Sequence, residues 1–161
     1  MIKLRNLHIS DSVAMMDFIY DFETQRNTNF LKYSNNKEDF QKFIENSTIS
    51  KKNIHFAIDY NESYAGTVSL KNLNYKSKKA ELAIVVLPKY RGFGIGSKSL
   101  VLIENHAKSI GLNTIYLNVF FENLKAIFIY NKAGFIKYYT TYRKNYFHNK
   151  LMKLIWMKKI I

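Results

Sequence analysis

The strongest constraint on this chain is a glycine-rich joint between an apolar run and an amphipathic one. Ala80 to Leu87 reads Ala-Glu-Leu-Ala-Ile-Val-Val-Leu, a buried strand that Pro88 stops. Arg91-Gly92-Phe93-Gly94-Ile95-Gly96 comes next. Leu100, Ile103, Ala107 and Ile110 then keep helical spacing, with Gly111 placed as a C-cap. Strand, alternate glycines and helix together set backbone N–H groups at a helix N-terminus. Such an end carries four unpaired donors and roughly half a positive charge, which suits a phosphate or pyrophosphate. Gly92, Gly94 and Gly96 let a ligand approach the backbone without Cβ interference, and Arg91 adds a cation beside it.

Two nucleotide-binding motifs come close and fail. A P-loop needs glycine immediately before Lys98-Ser99, and Ser97 stands there instead. A dinucleotide fingerprint needs that same third glycine and an acid about 20 residues further on. Asn118 occupies that region, and only 64 residues follow Ser97, too few for the rest of a doubly wound sheet. A glycine turn that serves only helix packing would give the same spacing.

The rest of the chain supplies one domain, residues 1–161, with no repeat, linker or low-complexity segment. Ile2, Leu4 and Leu7 start a strand. Ser10-Asp11 reads as a helix cap, with Val13, Met16 and Tyr20 on one face. A second helix follows Ser34-Asn35 and buries Phe40, Phe43 and Ile44. Two alternating runs, Ile54 to Tyr60 and Tyr64 to Leu70, form a hairpin through Asn61-Glu62-Ser63. After the joint come a strand at Ile115, Leu117 and Val119, a helix carrying Ala126, Ile127 and Tyr130 that Gly134 ends, and closing strands over 135–142 and 151–157. The expected order is strand, two helices, three strands, helix, strand, helix, two strands, in a mixed α/β class.

The chain has no cysteine, which excludes disulfides, zinc–cysteine sites and a covalent acyl-thiol route. His8, His55, His106 and His148 show no metal-ligand spacing, so no metal is expected. No apolar run approaches the about 20 residues that span a bilayer, and nothing at the N-terminus reads as an export signal, so a cytoplasmic location and no membrane are expected. The net charge is +13, and the stretch after Glu122 supplies nine Lys/Arg with no acid. That stretch is either a solvated basic face or a surface that attracts polyanions.

With both halves read, Ala80-Glu81-Leu82 followed by Pro88 to Gly96 resembles the acyl-CoA signature of the GNAT superfamily of N-acetyltransferases, filled by Arg91, Gly94 and Gly96. Leu117-Asn118-Val119, Asn123, Lys125-Ala126, Ile129-Tyr130 and Gly134-Phe135 resemble its second block. The helix Ile127 to Tyr130 and the two long closing strands, joined at Tyr146 to Asn149, resemble the bacterial branch of spermidine, ribosomal-protein N-terminal and amino-sugar acetyltransferases.

The resemblance implies a central, mostly antiparallel sheet of about seven strands flanked by about four helices, with acetyl-CoA as cosubstrate. Its pantetheine arm would pair with Ile84, Val85 and Val86 where strand 80–87 splays from strand 114–119. The pyrophosphate would sit on N–H groups from Arg91 to Ser97, through Gly92, Phe93, Gly94, Ile95 and Gly96. Asn123 is a helix cap or a direct contact, and Lys125 and Lys132 are candidates for the phosphates. Tyr130 lies on an apolar stripe and reads as core by periodicity alone; the resemblance makes it the general acid for the departing thiolate. Glu81 interrupts an apolar strand, either to pair with a cation or to deprotonate an ammonium acceptor. Asn118 would face the cleft or a water within it.

The implied reaction is direct acetyl transfer in a ternary complex to a primary amine of a small molecule (polyamine, amino sugar or antibiotic) or a peptide N-terminus. Asp21, Glu23, Glu38, Asp39 and Glu45 cluster around the early helices, so Glu23 and Glu38 are candidates to hold a cationic acceptor. The acceptor itself rests on loops 24–36 and 70–79. The exposed edge of the last strand would support a homodimer. The rival is a non-catalytic acyl-CoA-binding or RNA-associated protein: Tyr138, Tyr139, Tyr142, Tyr146 and Phe147 interleave with Lys137, Arg143, Lys144 and Lys150. Nucleic acid is disfavoured, because alternating strands that bury aromatics explain that pattern more simply.

Overall fold

The computed structural model describes the backbone of residues 1–161 and every side chain but that of Leu31. Seven strands and five helices follow in the order β1 (Ile2–Asn6), α1 (Asp11–Met15), α2 (Phe22–Asn27), α3 (Lys37–Ile49), β2 (Ile54–Tyr60), β3 (Ser63–Asn74), β4 (Lys79–Val86), α4 (Ile95–Ser109), β5 (Thr114–Phe120), α5 (Leu124–Lys132), β6 (Ile136–Asn145) and β7 (Lys150–Ile160). The strands form one sheet ordered β1-β2-β3-β4-β5-β7-β6. Every pairing is antiparallel except β4 with β5.

Alternation divides the sheet into two faces. On one face α4 and α5 cover a core that includes Val68, Leu70, Leu82, Leu100, Ile103, Ile115 and Leu117. Burying each of the large aliphatic side chains contributes about 2 kcal/mol. Lys159 of β7 bonds both oxygens of Glu104 in α4, at 2.9 and 2.7 Å, and ties the far end of the sheet to that layer. On the other face Leu7, Met15, Phe18, Phe40, Ile44, Ala57 and Leu87 form a second core under the early helices. Beyond β4 that face carries only the small cluster Phe120, Met152 and Leu154, with Trp156 beside it.

The early region departs from its sequence reading. Val13 is 61% and Tyr20 80% exposed, while Met15 and Phe18 are 2% exposed. The cause is local: α1 ends at Met15 and the chain tightens into a single 3-10 turn over Met16–Phe18, which rotates the buried face. Ser10 makes no side-chain cap. Asp11 anchors the turn instead, accepting from the His8 N–H and from both terminal nitrogens of Arg5, each at 2.8 Å. The six-residue α2 carries no apolar periodicity and was not expected; Asp21 caps it by accepting from the Thr24 N–H.

Elsewhere the differences are small but consequential. Asn61 and Glu62 both take positive φ (49° and 66°), the backbone of a tight hairpin turn, without the usual Asn-Gly pair. The closing strands run three residues past each expected end, to Asn145 and Ile160. β7 lies between β5 and β6, so the last strand has no free edge; β6 is the edge. A dimer built on the last strand's edge is therefore ruled out by strand order.

Candidate active site

The site begins where the parallel pair comes apart. β4 and β5 pair only at Lys79–Thr114, Ala80–Ile115 and Glu81–Tyr116. Past Glu81, β4 keeps its partner β3 on one side and has none on the other. The Leu87 N–H donates to the Ala65 carbonyl at 2.8 Å. In a pleated strand the groups of Val85 then also face β3, and those of Ile84 and Val86 face the gap. Val85 therefore leaves the expected backbone-pairing set: its backbone serves β3, and its side chain packs on the early-helix core.

The glycine joint closes one end of this gap. Gly92 and Gly94 take φ of +84° and +72°, which L side chains rarely adopt. The turn they make aims the start of α4 at the gap. No side chain caps α4, and a Cβ at Gly92, Gly94 or Gly96 would meet nothing within 4 Å. An uncapped fifteen-residue helix thus presents its first N–H groups to open space. A cavity of about 520 Å³ lies in front, lined by Gly92, Gly94, Ile95, Gly96, Ser97 and Lys125 among others. An elongated ligand with an amide arm and phosphates fits this cradle: open strand edge, then helix N-terminus.

A second cavity of about 470 Å³ opens on the early-helix face. Asn27, Thr28, Ile84, Val85, Asn123 and Tyr130 line both, so the two are halves of one cleft, with Tyr130 at their junction. Tyr130 packs edge-on against Phe135, with ring centroids 5.8 Å apart. Burial pushes its phenol up to about 12, so it holds its proton at ordinary pH. Asn123 caps α5 through the Ala126 N–H, at 3.3 Å.

In the second cavity three polar side chains form a chain. Glu81 Oε1 accepts from Asn118 Nδ2 at 3.1 Å, and Asn118 Oδ1 accepts from Arg143 at 3.2 Å. Glu81 also accepts from Asn72 at 2.9 Å and lies 3.3 Å from Lys71 Nζ. The β4–β5 register explains the first link: Glu81 and Asn118 both point to the early-helix face, just where the strands part. His55 lines this cavity, its Nδ1 2.7 Å from Ser69 Oγ, and burial lowers its pKa to about 4.

Several sequence-predicted residues take other partners than expected. Arg91 lines the glycine-side cavity, but its guanidinium is held by α2, 2.7 Å from Asp21 and 3.3 Å from Glu23, and bonds Thr24 Oγ1 at 2.9 Å. Its Nε donates to the Val86 carbonyl at 3.0 Å, so Arg91 clamps α2 to the end of β4. Asp21 lies below the usual carboxylate range: desolvation opposes this, and bonds from Arg91 and Thr24 prevail. Glu23 lines the glycine-side cavity, where Lys125 at 2.8 Å holds its pKa down. Glu38 is exposed and lines neither cavity, because it lies in the outward first turn of α3. The acids of the early helices therefore do not converge on the second cavity.

Phe93 is 65% exposed and lines neither half, and Lys132 lies 5.2 Å over the Phe128 ring rather than in the cleft. The Ile95 side chain is buried, which leaves only its backbone to a ligand. The aromatics of the closing strands are not buried, contrary to expectation: Tyr138, Tyr139, Tyr142, Tyr146 and Phe147 are 40–69% exposed. Sequence reading missed Arg143 as a cleft residue. Its signal was the strand alternation that sets it on the same face as Asn118 and Trp156, legible only once β6 and β7 are paired in register.

A sheet parted beside an uncapped helix N-terminus, with a protonated phenol at the junction and a carboxylate beyond, defines an N-acyltransferase. The sequence matches the Acetyltransferase (GNAT) family over residues 16–135. The chain belongs to that family and is an acetyl-CoA-dependent N-acetyltransferase. It is 31% identical over 126 residues to the spermidine N(1)-acetyltransferase of Escherichia coli K12, covering 74% of this chain and 67% of the relative. It is 28% identical over 128 residues to that of Vibrio cholerae, covering 74% and 72%. The ribosomal L7/L12 α-N-protein acetyltransferase RimL, solved with CoA, superposes at a TM-score of 0.89 with 16% identity, over 99% of this chain and 94% of that one. The microcin C7 self-immunity acetyltransferase MccE superposes at 0.88 with 18% identity, over 99% and 92%. No helix is long and apolar enough to cross a membrane among the described residues.

Proposed function

We propose that the glycine-side cavity holds acetyl-CoA and the second cavity holds the acceptor amine, with transfer at Tyr130. The observation that carries this reading is that the two cavities meet at Tyr130. The cosubstrate supplies an acetyl thioester, whose thiol is a ready leaving group. The N–H groups of Ile95, Gly96 and Ser97 hold its pyrophosphate, and the free backbone of Ile84 with the Val86 N–H pairs with its amide arm, the Val86 carbonyl being taken by Arg91. Asn123 and Lys125 flank that arm. Phe93 and Lys132 contribute nothing to it, and Arg91 acts as a clamp.

Tyr130 donates its proton to the departing sulfur, and its raised pKa keeps that proton in place until the thiolate forms. Glu81 accepts a proton from the ammonium acceptor, because only the free amine is nucleophilic. Asn118 fixes the carboxylate's orientation, and Lys71 Nζ lies 3.3 Å from it. Transfer is direct, since the chain lacks a cysteine to carry the acetyl group. The reading places the enzyme in the cytoplasm, where a chain with no disulfide framework is at home. Self-association, where it occurs, uses the β6 edge, whose Ile136 and Tyr142 are 70% and 69% exposed.

The test is release of CoA thiol on mixing acetyl-CoA with primary amines. Wild type releases thiol only with an amine present and shows no stoichiometric burst without one. Tyr130→Phe keeps its acetyl-CoA affinity and loses about 10²-fold in kcat. A burst without amine, or an unchanged kcat in Tyr130→Phe, overturns this mechanism.

A further inference from the structure

The acceptor cavity has the wrong charge for a polycation. Of the chain's twelve acids, only Glu81 lines it. Five of the others are held elsewhere by ion pairs: Asp11 and Asp59 on Arg5, Asp21 and Glu23 on Arg91, Glu104 on Lys159. Glu81 is already matched by Lys71 at 3.3 Å. Arg143 lines the same wall, and among the described residues no carboxylate pairs with it. The cavity therefore carries one cation in excess.

The guanidinium is positioned rather than loose. Asn118 Oδ1 accepts from it at 3.2 Å, and it lies 6.0 Å from the centre of the Trp156 ring. Trp156 is fixed in turn: its Nε1 donates to Thr141 Oγ1 at 2.8 Å, and Tyr139 stacks on it at 5.7 Å and 11°. The rings beside Arg143 lie outside the cavity lining and already carry cations of the chain, Arg143 at Trp156 and Lys158 at Tyr138, 5.1 Å away. Glu81 and Arg143 are separated by one asparagine amide and two hydrogen bonds. An amine at Glu81 therefore finds the guanidinium a few carbon atoms further along.

We infer that the acceptor is a small primary amine with a distal anion, carboxylate or phosphate, bound by Arg143, and that polyamines are selected against. The inference rests on the acetyl-transfer reading above and narrows its substrate. A guanidinium gripping a carboxylate or phosphate gives a directional, charge-assisted bond, whereas a second ammonium at the same place meets like charge.

Three amines of equal length test it: γ-aminobutyrate, butylamine and putrescine, each followed by CoA release. The expected order of kcat/KM is that order, with about tenfold between first and last, the ratio that about 1.4 kcal/mol gives. Arg143→Gln raises the KM for γ-aminobutyrate about tenfold, by loss of the same interaction, and removes the discrimination against putrescine. Arg143→Lys retains part of the preference. Phosphoethanolamine against ethanolamine separates phosphate from carboxylate. Putrescine as the best acceptor of wild type, or an order unchanged in Arg143→Gln, overturns the inference while leaving acetyl transfer intact. The wild-type order decides the matter even where a variant does not fold. CoA release with no amine at all overturns the transfer reading, and this inference with it.

Discussion

On the glycine side of Tyr130 the cleft offers backbone; on the other side it offers side chains. The first half is an open strand edge at Ile84 and Val86 and the uncapped start of α4, set by Gly92 and Gly94 at positive φ. The second half is Glu81, Asn118, Arg143, Lys71 and His55, drawn from five strands. Backbone donors recognise what every acyl-CoA shares and depend on few side-chain identities. Side chains on a sheet face can change without moving the strands, so on the proposed reading that half sets acceptor choice. The two differ in legibility as well: one is a contiguous motif and the other is assembled by register.

The largest effect comes at the point both halves share. A Cβ at Gly66 would stand 2.2 Å from the Val85 carbonyl oxygen. Gly66→Ala therefore pushes β4 off β3 and costs about 3 kcal/mol, seen in denaturant melts. Both acetyl-CoA binding and acceptor turnover fall together in that variant. Separate responses would show that β4 does not couple the halves.

Glu81→Gln divides them. It lowers kcat about 10²-fold, while the acetyl-CoA Kd from calorimetry stays within about twofold. A large change in that Kd would break the division of labour.

Acid acts on the second half through His55. Burial lowers the His55 pKa from 6.5 to about 4, so the folded state favours the neutral ring. Its contribution is complete above the unfolded value of 6.5 and is lost as pH falls towards about 4. With its partial exposure discounted, wild type loses about 2 kcal/mol across that window, and His55→Gln shows a flatter profile by that amount. Identical profiles would place the acid sensitivity elsewhere.

The smallest effect separates ligand from fold. Gly96 lies in the first turn of α4 with no positive φ and open space beyond its Cα. Gly96→Ala raises thermal stability by about 0.5 kcal/mol through helix propensity. It also weakens acetyl-CoA severalfold, because the new methyl stands where the phosphate approaches. A variant that is more stable and equally active would remove this helix start from the cofactor site.

Much of the molecule was readable before its coordinates. The glycine joint and the seven-strand count follow from local chemistry: apolar runs, a stop at Pro88, and glycines placed for a turn; the parting of strands 80–87 and 114–119 came through family resemblance. Tyr130 and Asn123 were placed through family resemblance, and Glu81 stood out as an acid in an apolar strand. The errors fall where local signals are weak. α2 has no apolar stripe, and α1 is too short for periodicity to fix its face.

What the sequence determined by itself is the glycine joint and the start of α4, because a turn and a helix N-terminus are made by neighbouring residues. What only the tertiary structure decided is where the charges go. Arg91, expected at the phosphates, is turned onto Asp21 and Glu23, from a segment about seventy residues away. Arg143, read as part of a basic surface, is carried into the cleft by the β5-β7-β6 register. Charge partners are chosen by proximity in space, and pairing across a sheet brings together residues that no spacing along the chain connects.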